Sequence, residues 1–248
     1  MTDSHPDSTV RLAKRLADTL PCSRREAEMY IEGGWVSVDG QVVEEAGARI
    51  GPGQQIELSA QARMEEVPLV TILLHKPAGF NAGVVGAGMP ALACLTPDTM
   101  VQSGQGGQRF LKRHVAGLTL TNPLDTTASG LVVFTQDFRV ARKLVDEAAK
   151  VEQEFIVEVS GAIAPNGLAL LNHGLPWNGK PLAPVKVSWQ NETKLRFALK
   201  GVQPGQIVHM CRMVGLTVVA QKRIRIGRIS MAALPLGQWR YLQEFERF

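Results

Sequence analysis

The 248-residue sequence has few cysteines and no long apolar run. Its three cysteines, Cys22, Cys94 and Cys211, lie far apart, and none belongs to a C-x-x-C pair. A disulfide framework and a zinc site are therefore both unsupported, and the thiols are expected to be reduced. No apolar stretch approaches the roughly 20 residues of a membrane span, and the polar first ten residues do not resemble a signal peptide. These absences predict a cytoplasmic protein without a membrane partner.

The sequence also lacks the spacings that hold metals or phosphate groups. Its five histidines share no metal-ligand spacing. The glycine-rich stretch 83–88 is not followed by Lys-Ser/Thr, so it does not match a phosphate-binding loop. Neither a metal nor a cofactor is predicted.

Charge is distributed unevenly along a chain of ordinary composition, with 45% hydrophobic and 20% charged residues. Residues 1–62 hold 6 Lys/Arg and 10 Asp/Glu, a net charge of −4, whereas residues 63–248 hold 21 and 13, a net charge of +8. The basic excess in the larger part indicates an anionic partner, most simply nucleic acid. A generic solvated surface is the alternative explanation.

The first 60 residues have the pattern of two helices followed by short strands. Apolar residues recur at helical spacing over 10–20, and Ser23-Arg24-Arg25-Glu26 has the form of a capping box that begins a second helix. Gly33-Gly34 should end that helix. Strands are predicted at 35–38, 41–43 and 55–58, with Asp39-Gly40 as a tight turn between the first two.

This order of elements resembles the S4-like RNA-binding domain. The resemblance implies that Lys14, Arg15, Arg24 and Arg25 contact RNA, and the last two lie in the first turn of a capped helix, where N–H groups and guanidinium groups can share a phosphate. The alternative is that these are exposed helix charges without a partner. The predicted boundaries are 1–62 for this domain, 63–67 for a linker and 68–248 for a second domain.

The second domain is predicted to contain strands separated by long connections. A buried strand over 69–74 precedes a Gly/Ala/Pro-rich loop that extends to about residue 107. Further strands are predicted at 130–135, 154–159, 185–189, 195–199 and 221–226, and helices at 139–149 and 206–214.

Four segments of this domain resemble bacterial ribosomal-RNA pseudouridine synthases of the RsuA type. They are Lys76-Pro77-Ala78-Gly79; Leu124-Asp125 with Ser129-Gly130-Leu131; Gly205-Gln206-Ile207 with Met210; and Lys222–Gly227 followed by Leu234-Pro235 and Gly237–Arg240. Together with the S4-like unit they cover nearly the whole chain in order. The resemblance implies an α+β fold in which a mixed, largely antiparallel sheet is flanked by helices.

The resemblance also implies an activity, the isomerisation of uridine to pseudouridine in structured, ribosomal RNA by a monomer without cofactor or metal. Asp125 would be the nucleophile, and the target base must leave its stack to reach it. The alternative for Asp125 is a turn-capping residue. The implied neighbours of the active site are Phe155, Ile207, Val208 and His209. Further RNA contacts are implied for Lys76, Lys222, Arg223 and Arg225.

The sequence departs from the family pattern at three positions. Asn122-Pro123 stands where the family has Gly-Arg, Phe155 where it has tyrosine, and Val208 where it has an arginine that pairs with the aspartate. Loss of that cation removes a charge that would favour the ionised carboxylate, although His209, Lys222, Arg223 or Arg225 could replace it. Two hypotheses remain, an active synthase and an impaired synthase that acts as an RNA-binding module.

Overall fold

The computed structural model describes residues 9–84, 86, 88–101 and 108–248. The first eight residues of the predicted S4-like domain, and residues 85, 87 and 102–107 of the predicted long loop, lie outside this part. The chain forms two compact units. Unit 1 comprises the chain up to Leu69 together with Arg109–Ala116, and unit 2 comprises Val70–Gln108 and Gly117–Phe248.

Unit 1 consists of two packed helices and a set of short strands. Its elements are, in chain order, β1 (Val10–Arg11), α1 (Leu12–Thr19), α2 (Arg24–Glu32), β2 (Val36–Val38), β3 (Gln41–Val42), β4 (Arg49–Ile50) and β5 (Ile56–Leu58). Strand β2 pairs with β3 and β5, and β1 pairs with β4. The pairing of β1 was not predicted, because the apolar pattern placed Val10 and Arg11 in the first helix.

Local sequence signals determine the ends of the elements in unit 1. The hydroxyl of Ser23 accepts a hydrogen bond from the Glu26 N–H at 3.2 Å, and the Glu26 carboxylate accepts one from the Ser23 N–H at 2.6 Å. This is the capping box that the sequence predicts. Asp39 and Gly40 both have positive φ, 50° and 80°, as a two-residue hairpin turn requires.

Residues 109–116 pack onto unit 1 although they are distant from it in sequence. The guanidinium of Arg109 lies 5.6 Å from the centre of the Trp35 ring, and the Lys112 N–H donates to the Glu44 carboxylate at 2.6 Å. A short 3-10 helix, Lys112–Val115, lies within this segment. This association was not predicted, because contacts between residues so distant in sequence depend on tertiary structure.

Unit 2 is built on one large sheet. Its elements are β6 (Thr71–Lys76), β7 (Phe80–Asn81), β8 (Met89–Pro90), β9 (Thr119–Leu120), β10 (Ser129–Thr135), α3 (Phe138–Val145), β11 (Glu152–Ser160), α4 (Gly167–Asn172), β12 (Pro176–Trp177), β13 (Lys180–Pro181), β14 (Lys186–Trp189), β15 (Lys194–Lys200), α5 (Gln206–Met213), β16 (Thr217–Ile226), β17 (Ile229–Ser230) and β18 (Trp239–Tyr241), with 3-10 helices at Ala91–Cys94, Pro97–Thr99 and Ala148–Lys150.

Within the described residues, nine strands form this sheet, in the order β14-β15-β11-β16-β10-β6-β18, with β17 beside β16 and β9 beside β10. Strands β10 and β16 run parallel and the other pairs run antiparallel. The α+β class and the largely antiparallel sheet are therefore confirmed. None of the described helices is long and apolar enough to cross a membrane.

The centre of the sheet requires a glycine where β10 meets β16. Gly130 lies opposite Arg223, and a Cβ atom at this position would be 2.3 Å from the Arg223 carbonyl oxygen. Its φ of +118° is also a conformation that favours glycine. Gly130 therefore allows the two strands to approach closely, and this approach brings Arg223 under the loop that precedes β10.

Candidate active site

Asp125 lies in the loop between β9 and β10, next to an anchored leucine. Leu124 is buried, and its N–H donates to the Ala82 carbonyl at 3.0 Å. The Ala128 N–H donates to the Asp125 carbonyl at 3.0 Å and closes a turn. Asp125 itself is only half-buried. The loop therefore holds its main chain firmly while leaving part of the residue accessible.

The carboxylate of Asp125 meets the beginning of α5. Its Oδ2 accepts a hydrogen bond from the N–H of Gly205 at 3.1 Å. Gly205 is the N-cap residue of α5 and has a φ of +78°, so a glycine is favoured there. A helix N-terminus stabilises negative charge through its free N–H groups. This partner of Asp125 was not predicted, because the contact is made by a main-chain N–H, which no side chain in the sequence indicates.

Arg223 holds the upstream side of the loop from beneath. Its guanidinium donates to the carbonyl of Asn122 at 2.9 Å and to that of Pro123 at 3.1 Å. It also donates to the Leu131 carbonyl at 2.7 Å and to the Gln153 side chain at 3.0 Å. Burial lowers the pKa of Arg223, and the negative charge of Asp125 opposes that change. A buried cation thus lies within electrostatic range of the carboxylate.

Lys76 holds the downstream side of the same loop. Its ammonium group lies 2.6 Å from the Ala128 carbonyl oxygen and 3.4 Å from that of Thr126. It also donates to the carbonyls of Pro77 and Phe80, at 2.9 and 2.8 Å. Burial, followed by the charge of Arg223, lowers the pKa of Lys76 to about 8, while the charge of Asp125 acts in the opposite direction.

The structure corrects two predicted RNA contacts. Lys76 and Arg223 are both 0% exposed, so neither can reach a phosphate, and their donors are used on carbonyl groups of the chain. A third, Arg225, is mostly buried and pairs with the carboxylates of Glu152 and Glu154 at 2.5 Å. Lys222, on the same strand, is half-buried. The basic side chains of β16 therefore make contacts inside the protein as well as at its surface.

The predicted neighbours of the active site are separated by the structure. Phe155 is 1% exposed, and its ring centre lies 5.9 Å from the Arg223 guanidinium carbon, so in this structure it is not open for stacking on a base. Ile207 is in the core, whereas Val208 is 43% exposed. His209 is half-buried, and its ring packs edge-on against Trp177 with the ring centres 5.1 Å apart.

The predicted RNA contacts of unit 1 lie at or near the surface. Lys14, Arg24 and Arg25 are exposed, and Arg15 is half-buried. Arg24 lies 3.8 Å from Glu28, and Arg25 lies 3.1 Å from Glu66. Exposed ion pairs of this kind are weak, so both arginines can exchange them for a phosphate. Arg15 donates to the Pro52 carbonyl at 2.8 Å, which indicates a structural role in addition.

Among the described residues, no cluster of three or more His, Cys, Asp or Glu could hold a metal ion. The site consists instead of one carboxylate, a helix N-terminus and two buried cations.

Comparison with known proteins shows which proteins this chain is similar to. Residues 10–56 match the S4 domain model. The chain is 28% identical to the dual-specificity RNA pseudouridine synthase RluF of Escherichia coli K12, over 97% of this chain and 78% of that protein. It is 26% identical to the ribosomal large subunit pseudouridine synthase B of Bacillus subtilis, over 95% of this chain and 93% of that protein.

The chain is similar to RNA pseudouridine synthases and carries an S4 domain. Its structure also resembles a crystal structure of a pseudouridylate synthase, with a TM-score of 0.59 and 19% identity over 95% of this chain and 96% of the other. That likeness concerns the fold. In this fold, the half-buried Asp125 lies beside the beginning of α5.

Proposed function

We propose that this protein isomerises uridine to pseudouridine in RNA, with ribosomal RNA as the substrate class and Asp125 as the nucleophile. The observation that carries the proposal is the half-exposed Asp125 carboxylate, held against the Gly205 N–H at 3.1 Å. Its loop is fixed from both sides by the buried Arg223 and Lys76. A reactive group on a loop that is held this firmly is positioned for attack on a bound nucleoside.

The reaction requires little besides such a carboxylate. Asp125 attacks the target nucleoside, the bond between uracil N1 and the sugar breaks, and the uracil turns over. A carbon–carbon bond then forms between C5 and the sugar, the bond to Asp125 breaks and frees its carboxylate, and the proton lost from C5 is balanced by one gained at N1. The product is an isomer of the substrate, so the overall reaction consumes no co-reactant. The target base has to leave its stack first.

Arg223 and Lys76 supply the positive charge that the departure at Val208 removes. Both cations interact electrostatically with Asp125, and neither is exposed to water, so their fields are weakly screened. This supports an active synthase rather than an impaired one. The carboxylate, both cations and α5 come from one chain, so we propose that a monomer is sufficient, acting on RNA in the cytoplasm.

The test is Asp125→Asn in the full-length protein, incubated with ribosomal RNA. Asparagine has nearly the same shape but cannot act as the nucleophile, so pseudouridine formation should be abolished while RNA affinity stays within about twofold. Pseudouridines are mapped chemically, and affinity is measured by filter binding. Asp98→Asn, at an exposed carboxylate of the same unit, is the control and should retain full activity. Wild-type protein that binds RNA but forms no pseudouridine would favour the impaired RNA-binding module.

A further inference from the structure

A cavity beside the proposed nucleophile has no role in the reaction described above. It has a volume of about 370 Å³, and its lining combines an aromatic ring with amides and a cation: Trp177, Asn178, Lys180, Pro181, Leu182 and Gln203. Four of these residues come from the hairpin β12–β13 and its turn, and Leu182 follows β13. Gln203 lies in the connection just before α5. The cavity therefore lies between the hairpin and the end of the loop that leads to Gly205.

The hairpin is built to hold Trp177 in a fixed place. Its two turn residues, Asn178 and Gly179, have positive φ of 50° and 75°, the geometry of a tight two-residue hairpin. The indole N–H of Trp177 donates to the Gln203 side chain at 3.4 Å. One edge of the indole meets the ring of His209. A half-buried tryptophan that is held from two sides presents a pre-organised surface to a ligand.

His209 fastens this hairpin to α5. Its Nε2 lies 3.1 Å from the Pro176 carbonyl oxygen, and Arg212 contacts its Nδ1 at 3.3 Å. A carbonyl can only accept and a guanidinium can only donate, so the Nε2–H tautomer of the neutral ring satisfies both partners. His209, which follows Val208 in the chain, therefore connects Trp177 to α5. The beginning of the same helix meets Asp125.

The wall of the cavity is linked to the Asp125 carboxylate through Gly205. A Cβ atom at Gly205 would lie 3.7 Å from the Cη2 atom of Trp177, and the N–H of the same glycine bonds to Asp125 at 3.1 Å. Gly205 thus lies between the edge of the indole and the carboxylate of the proposed nucleophile. A nucleotide adjoining the target uridine would reach this position without a long spacer.

We propose that this cavity binds an unstacked nucleobase of the RNA strand next to the target uridine, with the base on Trp177 and its phosphate near Lys180. Aromatic side chains bind single-stranded RNA through base stacking. The exposed amides of Asn178 and Gln203 can donate to and accept from a base edge. Lys180 is exposed at the rim and can neutralise a phosphate. The inference rests on the proposed function, because it makes the cavity a subsite of that RNA-modifying centre.

Binding can be tested separately from catalysis in the Asp125→Asn background. The probe is a seven-nucleotide RNA with a central uridine and mixed bases elsewhere, and affinity is read from tryptophan fluorescence and filter binding at low salt. Trp177→Ala should weaken binding by at least about fivefold, since stacking contributes this much per base. Trp177→Phe should keep affinity within about threefold while losing most of the fluorescence change. Trp189→Ala, at another partly exposed tryptophan of unit 2, should leave affinity unchanged.

A second variant tests the same subsite in case Trp177→Ala disrupts the hairpin. Lys180→Gln removes one exposed charge without touching the core, and it should reduce the slope of log K against log salt by about 0.7, the value for one contact with single-stranded nucleic acid. Equal affinity for the wild type, Trp177→Ala and Lys180→Gln would overturn the inference. It would leave the proposed function intact if wild-type protein still modifies ribosomal RNA. If the variants behave as expected but no RNA is modified, the subsite stands and the proposed activity fails.

Discussion

At the scale of single residues, the two buried cations are the most informative feature of the site. Lysine and arginine are rarely buried unless they are paired, and here both donate to carbonyl oxygens of the Asp125 loop as well as to other acceptors. An ammonium group has three donors, and Lys76 lies within 3.4 Å of four carbonyl oxygens. Such positions are costly to a fold. Their presence under the Asp125 loop is explained if that loop has to be rigid and has to lie in a positive electrostatic potential.

Because of Lys76, the free energy of unfolding should vary with pH in the alkaline range. Its pKa is lowered from 10.5 to about 8, so between these values the unfolded chain binds more protons than the folded one. The stability from this shift is fully present above pH 10.5 and is lost as the pH falls through 8. Relative to Lys76→Met, the wild type should therefore gain up to about 3 kcal/mol of unfolding free energy from pH 8 to 10.5.

Chemical denaturation across this pH series measures the difference. Lys186→Met, at an exposed lysine of β14, is the matched control and should show a difference from the wild type that does not vary with pH. A constant difference for Lys76→Met as well would contradict the lowered pKa of the buried side chain.

At the scale of elements, the beginning of α5 determines where the Asp125 carboxylate lies. Gly205→Ala should lower kcat by about tenfold, because a Cβ at a φ of +78° strains the N-cap and moves the N–H that bonds the carboxylate. Unfolding free energy should fall by only about 1–2 kcal/mol. Gly117→Ala is the control, since this glycine has a φ of +63° and open space around it. Equal losses of activity in both variants would mean that α5 has no special role.

The sequence predicted most of these elements, because their signals are local. The Ser23 capping box, the Asp39-Gly40 turn and the apolar runs of the central strands all appear where they were expected. The interior role of Arg223 was missed, since a basic strand looks the same whether its cations face water or carbonyl groups. The hairpin at Trp177 was missed too, although Asn178-Gly179 is a turn signal. The segments on either side of that turn, β12 and β13, are too short and too rich in proline to resemble strands.

At the scale of the whole molecule, charge is divided between the two units. Residues 1–62 carry six Lys/Arg against ten Asp/Glu, which is unfavourable for a unit that binds RNA. The segment 109–116 adds Arg109, Lys112 and Arg113 to this acidic unit. Unit 1 therefore acquires part of its positive charge from a distant part of the chain, and its RNA contacts must come from a limited set of exposed cations.

RNA affinity should consequently fall steeply with salt, and part of that dependence should come from Arg24 and Arg25. Each phosphate contact contributes about 0.7–0.9 to the slope of log K against log salt. Replacing both arginines with alanine should weaken binding and reduce the slope by up to about 1.5, because their partners Glu28 and Glu66 are exposed and hold them weakly. Arg49→Ala is the matched control, since this exposed arginine of unit 1 donates to Thr9. Filter binding over a salt series with ribosomal RNA provides the measurement. An unchanged slope in the double variant would remove α2 from the RNA interface, and an equal change in Arg49→Ala would show that only the net charge of the unit matters.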